Sequence, residues 1–197
     1  MFKGTSASAG IGIGKAVIVE EAELVITRNE VADAEAEIQR FKGALEKTIA
    51  ATQKMADDLA SRVGEKEAEI MQGHMMLLSD PMLTGEIENS VKNDKVNCEF
   101  AIENVCNMYA DMFASMGDEL MQQRATDMRD IKVRMQRTLM GLESVDVSLL
   151  PKGSILVAKD LTPSMTAGIN PANVTGIVTE LGGRTSHSAI LARALEI

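Results

Sequence analysis

Residues 15–59 read KAVIVEEAELVITRNEVADAEAEIQRFKGALEKTIAATQKMADDL, and the spacing of the apolar residues changes inside this stretch. Lys15 to Glu20 (KAVIVE) is rich in β-branched residues and reads as a strand. From Val31 onward, Val31, Ala34, Ile38, Phe41, Leu45, Thr48, Thr52, Met55 and Leu59 recur at alternating steps of three and four, which is the seam of one long helix. Gly64 is placed to end that helix. A strand followed by a long amphipathic helix suggests helices inserted into a framework of strands.

Working outward, a second helix over about 65–80 stops at Asp80-Pro81, because proline disfavours a helical residue before it. A third piece carries Leu83, Ile87 and Val91. Asn97 is the candidate cap of a fourth, whose apolar stripe is Ala101, Val105, Met108, Met112 and Met116. The last helix carries Met128, Ile131, Met135, Leu139 and Leu142. Long helices with short connections predict an antiparallel bundle or a pair of helical hairpins. Strand signals return at Ile155 to Ala158, after the Pro151-Lys152-Gly153 turn, and at Val174 to Glu180. Ser164, after Thr162-Pro163, and Ser186 or Thr185 are candidate caps of two short helices. Neither flank is large enough to bury a core alone. The expected fold is therefore an α/β domain of residues 1–29 and 144–197, interrupted by an α-helical subdomain at 30–143. No stop signal marks Leu195-Glu196-Ile197, so the α/β domain is expected to be C-terminally truncated.

Composition supports the same division. The whole formal charge of −9 falls within residues 30–143, and the remainder balances to zero. Twelve of the fourteen methionines lie in that segment, while three of the four prolines lie outside it. At 45% hydrophobic and 25% charged residues the chain has globular composition. An acidic surface and only 3% aromatics argue against a nucleic-acid partner and for one with a basic face. Cys98 and Cys106 have no metal-type spacing and make no disulfide framework, so a reducing cytoplasm is the expected compartment. The N-terminus has no signal-type apolar core, and no uncharged apolar run reaches membrane-spanning length.

Three motifs invite chemistry. In Gly10-Ile11-Gly12-Ile13-Gly14-Lys15-Ala16, Ala9 and Ala16 break the phosphate-loop pattern, and Lys15 breaks the dinucleotide pattern. A tight turn into the first strand is the better reading. His74 lies mid-helix in Gly73-His74-Met75-Met76-Leu77-Leu78, where a packed or surface histidine is the plain reading. Gly73 inside a helix costs about 1 kcal/mol relative to Ala, which hints that something approaches closely there. His187 is different. It lies in Thr179-Glu180-Leu181-Gly182-Gly183-Arg184-Thr185-Ser186-His187-Ser188-Ala189-Ile190-Leu191-Ala192-Arg193, a strand, a Gly-Gly turn and then a helix start. Gly182 and Gly183 let backbone N–H groups approach an anion, the helix N-terminus adds donors and partial positive charge, and Arg184 adds a counter-charge. A histidine there can carry a phosphoryl group. The plain alternative is a capped helix with an incidental His.

Residues 182–193 resemble the phosphohistidine signature of phosphoenolpyruvate-utilising enzymes: enzyme I of the sugar phosphotransferase system, pyruvate phosphate dikinase and phosphoenolpyruvate synthase. Ala7 to Gly12, Gly73 to Asp80, Arg124 to Ile131 and Ile155 to Ser164 resemble enzyme I in order and spacing. That resemblance implies a helical subdomain inserted in an α/β phosphohistidine domain. It implies phosphoryl transfer from phosphoenolpyruvate through Nε2 of His187 to a histidine of the small carrier HPr. It also implies a hydrogen bond between Thr166 and the unphosphorylated ring, with Gly182, Gly183, Arg184, Thr185 and Ser186 in support. The HPr-docking residues it implies are His74, Met76, Leu77, Asp80 and Arg124. The phosphoenolpyruvate site, Mg²⁺ ligands, catalytic Cys and homodimer interface of the family belong to a C-terminal barrel, so no metal site is expected here, and the fragment is expected to be monomeric. Absence of an upstream sensor-type domain favours the sugar over the nitrogen-regulatory branch. The alternatives are a dikinase or synthase fragment, and a non-catalytic helical interaction module.

Overall fold

A computed structural model of the chain describes residues 4–184 and 186–197; Thr185 and the side chain of His187 lie outside the described residues. The protein is mostly helical with one small parallel sheet. Strand β1 (Lys15–Val19) precedes helices α1 (Ala34–Arg62), α2 (Glu65–Leu78), α3 (Pro81–Asp94), α4 (Cys98–Ser115) and α5 (Glu119–Met140). A 3-10 turn at Val147–Leu149 leads to β2 (Ser154–Ala158), α6 (Pro163–Ala167), β3 (Val174–Thr179) and α7 (His187–Ala194). Among the described residues no helix is long and apolar enough to cross a membrane.

Two compact units result. One holds the chain up to Ala22, Met55–Glu69 and Val145–Ile197; the other holds Glu23–Lys54 and Ile70–Ser144. The chain passes between the units after Ala22 and after Ser144, and the end of α1 and the start of α2 group with the strands. Length is the reason: α1 has 29 residues, about 43 Å at 1.5 Å per residue. At its end, Arg62 donates to the Ile169 and Ala167 carbonyls, both at 2.6 Å, just beyond and at the end of α6.

In the sheet unit the strand order is β1-β2-β3, all parallel. Parallel neighbours need long crossovers, so the connection between β1 and β2 can accommodate an insertion without disturbing their pairing. Lys15 lies opposite Ser154 and Val19 opposite Ala158. Val19, Leu156, Ala158, Leu161, Ile169 and Val174 form the centre of the core. The glycine run enters β1 through bends at Gly10 and Gly14 rather than the tight turn expected. A Cβ on Gly12 would run into the Thr175 carbonyl, and one on Gly14 into the Gly153 carbonyl, so main chain packs directly on main chain. Helix α6 is capped by Thr162, whose hydroxyl accepts from the Met165 N–H, and not by Ser164, which lies inside the helix.

The helical unit buries Ile38, Phe41, Leu78, Leu83, Ile87, Val91, Ile102, Met128, Ile131 and Met135 in one core. The α3 and α5 stripes read from the sequence are its walls; Leu142 falls beyond the Gly141 cap and is half-exposed. The α4 stripe holds only in its first half. Ala101 and Val105 are buried, but Met108, Met112 and Met116 are 53%, 42% and 54% exposed. Steps of four drift off a 3.6-residue turn, and Tyr109 and Phe113 carry the inner face onward instead. Asn97 occupies the N-cap position of α4 without a side-chain cap bond. Its amide instead accepts from the Asn29 N–H at 2.9 Å and donates to Glu99, beside a bridge between Glu30 and Val96.

Arg40 joins α1 to α4, reaching Glu37 at 2.6 Å and Glu99 at 2.8 Å. Burial alone would raise both carboxyls. Hydrogen bonds from Arg40, with the Cys98 N–H on Glu37 and the Asn97 amide on Glu99, outweigh it and hold both below the usual range. Depressed carboxyls contribute stability above the unfolded-chain pKa and lose it as pH falls through the folded value. The melting temperature should therefore drop as pH falls below about 4. Arg40→Met should shrink that acid-limb drop in thermal denaturation scans; an unchanged limb would contradict the assignment.

Candidate functional site

The Glu180 and Leu181 N–H groups donate to the Ala158 and Lys159 carbonyls, carrying the β3 pairing past the strand end. Gly182 then takes φ +98°, a left-handed backbone that favours glycine. Ser186 caps α7: its hydroxyl accepts from the Ala189 N–H at 3.3 Å, donates to the Gly183 carbonyl at 2.8 Å and lies 2.9 Å from the Ser188 hydroxyl. His187 is the first residue of α7. Thr185 lies outside the described residues.

Arginines fasten this loop. Arg184 Nε donates to the Ser6 carbonyl at 2.8 Å, and Arg193 donates to the carbonyls of Ala7 and Arg184. A cleft of about 500 Å³ opens beside the loop, lined by residues including Thr5, Ser8, Glu180, Gly183, Arg184 and Ser186. Helix α6 packs against α7. On it Thr166 is buried, its hydroxyl donating to the Thr162 carbonyl at 2.8 Å and keeping lone pairs to accept another proton. Gly182, Gly183, Arg184, Ser186 and the start of α7 are thus brought together, with Thr166 on the neighbouring helix.

The second group of sequence candidates lies in the helical unit. Met76 is 72% exposed on α2, whereas Leu77 is partly buried against the core. Asp80 caps α3 through the Met82 N–H at 2.8 Å. His74 is fully buried, so it offers no surface to a partner. Its Nε2 lies 3.2 Å from Asp127 Oδ1, and its Nδ1 lies 3.7 Å from Asp130 Oδ2. Arg124 Nη1 lies 3.3 Å from Asp127 Oδ2. A Cβ on Gly73 would collide with Arg124 Nη1, which identifies the close approach that the mid-helix glycine signalled. Sequence reasoning missed the exposure of Met82, Met108, Met112 and Met116 on α3 and α4, and of Leu120 at the start of α5. Exposed large apolar residues on successive helices are the kind of surface that partners cover.

Burial pushes the thiols of Cys98 and Cys106 up to about 12, so both stay protonated and unreactive. Among the described residues no group of three His, Cys, Asp or Glu side chains converges to hold a metal ion.

Comparison with known proteins defines the class. Residues 3–124 match the N-terminal family of phosphoenolpyruvate-utilising enzymes, and residues 150–197 match the mobile domain of the same enzymes. The chain belongs to the enzyme I family of phosphoenolpyruvate-utilising proteins and corresponds to its N-terminal part. It is 44% identical, over its whole length, to the phosphoenolpyruvate-protein phosphotransferase of Listeria monocytogenes and 42% identical to that of Bacillus subtilis. It spans 34% of the length of each. A solution structure of enzyme I superposes with a TM-score of 0.85 at 39% identity, covering all of this chain and 80% of that one. The N-terminal domain of a nitrogen-type enzyme I gives 0.68 at 27% identity, covering 97% of this chain and 79% of that one.

The cap geometry gives a direct test. Ser186→Ala should destabilise α7 by about 1 kcal/mol, and Ser186→Gly by only a few tenths. Native-state amide exchange of Ala189 and Ile190 reads this; equal protection in Ser186→Ala and the parent would refute the cap.

Proposed function

We propose that this chain is the phosphocarrier and carrier-docking part of a phosphoenolpyruvate-protein phosphotransferase, the first enzyme of a sugar phosphotransferase system. The observation that carries the reading is His187 as the opening residue of α7, directly after the Gly182 turn. In finer terms, the sheet unit is an α/β phosphohistidine domain, and the helices form an HPr-binding subdomain inserted between β1 and β2.

Two displacements make the cycle. In the first, Nε2 of His187 attacks phosphorus, the ester P–O bond of phosphoenolpyruvate breaks, and the departing enolate takes up a proton to become pyruvate. In the second, a ring nitrogen of the HPr histidine attacks, the P–N bond to His187 breaks, and His187 is free again. In the resting state the Thr166 hydroxyl accepts a hydrogen bond from the ring N–H. Backbone N–H groups of the 182–186 turn and of α7, with Arg184, offset the charge on the phosphoryl oxygens. Mg²⁺, the phosphoenolpyruvate site and the homodimer interface belong to the C-terminal barrel of the complete protein. By itself the chain is a monomer that does not turn over phosphoenolpyruvate. The complete protein works in the cytoplasm, without nucleic-acid or membrane partners.

The helical unit docks HPr. Its acidic surface steers a basic carrier, and Met76, Met82, Met108, Met112 and Met116 supply an adaptable apolar centre.

Phosphorylated HPr should label the chain with acid-labile phosphate, and His187→Ala should abolish the label; label retained in that variant would overturn the assignment. Met76→Ala should weaken HPr binding by about 1–2 kcal/mol, with an unchanged melting temperature because Met76 is exposed. Rising salt should slow association more than it speeds dissociation in stopped-flow measurements. Salt-independent association would place the docking surface elsewhere.

A further inference from the structure

We propose that His74 is a positioning residue for docking: through Asp127 it holds the Arg124 guanidinium over Gly73, as a fixed cation that receives an oxygen acceptor of the carrier. The inference rests on the docking role proposed above.

Three observations carry it. First, Asp127 turns one oxygen toward each of these residues, His74 and Arg124. Oδ1 faces His74 Nε2 at 3.2 Å and Oδ2 faces Arg124 Nη1 at 3.3 Å. His74 is fully buried and the Asp127 side chain is 5% exposed, so the inner half of this chain of contacts is held by packing. The Arg124 side chain is 34% exposed, so its outer half reaches solvent. Second, Gly73 is helical and its φ is not positive, so no backbone conformation calls for glycine there. It leaves the space that Arg124 Nη1 fills. Third, Met76 follows Gly73 by three residues on α2, on the same helix face, and is 72% exposed. Arg124 therefore stands beside an apolar contact residue of the proposed docking face.

A guanidinium already held in one place loses little freedom when it engages a partner, and its planar fork presents donors in a set direction. Nη1 is taken by Asp127, leaving Nε and Nη2 to donate to a carboxylate or main-chain carbonyl of the carrier. Within an acidic surface such a cation sets the register of an otherwise basic partner and discriminates against carriers lacking an acceptor at that point.

The test uses the full chain and unphosphorylated HPr, with affinity and melting temperature measured for Gly73→Ala, Arg124→Ala, the double variant, His74→Ala and His74→Gln. Gly73→Ala should weaken binding about fivefold to tenfold while the melting temperature holds or rises, because alanine is the better helix former. A purely structural defect would lower both. The double variant should bind no more weakly than Arg124→Ala alone, since Gly73 acts through Arg124. His74→Ala, which removes the donor toward Asp127, should weaken binding about fivefold, and His74→Gln, which keeps an N–H donor there, should restore it to within about threefold of the parent; parental affinity in His74→Ala would overturn the positioning role of His74. Additive losses in the double variant, or parental affinity in both Gly73→Ala and Arg124→Ala, would overturn this inference alone. Failure of the parent chain to bind HPr would overturn the docking role and this inference together.

Discussion

Charge buried on α5 is the constraint on which the helical unit depends. Asp127, Asp130 and Arg134 are each less than a tenth exposed, and ionised groups so placed must find partners or lose several kcal/mol to desolvation. Their partners come from other helices. His74 of α2 meets Asp127 and Asp130, and Thr52 of α1 accepts from Arg134 at 2.7 Å. Burial holds the Arg134 guanidinium below its ordinary value, with the nearby Asp130 carboxylate acting in the opposite direction. Apolar packing alone would let helices slide by a turn at small penalty. A buried polar seam does not, because a shift would strand several charges at once. The register of α1, α2 and α5 is thereby fixed, and with it the surface that α2 presents.

The sheet unit solves a different problem with neutral groups. Its strands are parallel, so their connections must leave the sheet and return. The short helices α6 and α7 start at hydroxyl caps, Thr162 and Ser186, that satisfy N–H groups a helix leaves unpaired. Arg62 satisfies carbonyls at the other end of α6. The loop between β3 and α7 is held by the Ser186 hydroxyl on the Gly183 carbonyl and by Arg193 on the Arg184 carbonyl.

Under the proposed function the two units would divide the work. Phosphoryl chemistry requires fixed dipoles and a nucleophile, the role proposed for the loop before α7 in the sheet unit. Choosing a protein partner requires area and charge, the role proposed for the acidic, methionine-rich helical unit. Buried, high-pKa thiols at Cys98 and Cys106 keep reactive sulfur out of both tasks.

Much of this was legible in the linear sequence. Period-2 and period-3.6 spacing located the strands and helices, because side-chain direction follows backbone geometry locally. Asp80-Pro81, Gly64 and Gly182-Gly183 marked breaks for equally local reasons. The candidate loop around His187 could be read because its parts are adjacent in the chain. What could not be read was set by contacts distant in sequence. Asp127, Asp130 and Arg134 flank the Met128-Ile131-Met135 stripe and look like solvent-facing charges until α1 and α2 close over them. Met108, Met112 and Met116 look like core until Tyr109 and Phe113 take the inner face of α4. Ser164 reads as a cap but lies inside α6, and Asn97 takes the N-cap position of α4 while its side chain is drawn to Asn29 and Glu99. The sequence by itself determined the elements, the division of charge and the phosphohistidine-like loop, all of which depend on residues close along the chain. Only the tertiary structure decided that His74 lies inside, that Arg124 rests on Gly73 and that the methionines face out, because burial is a property of what packs against a residue.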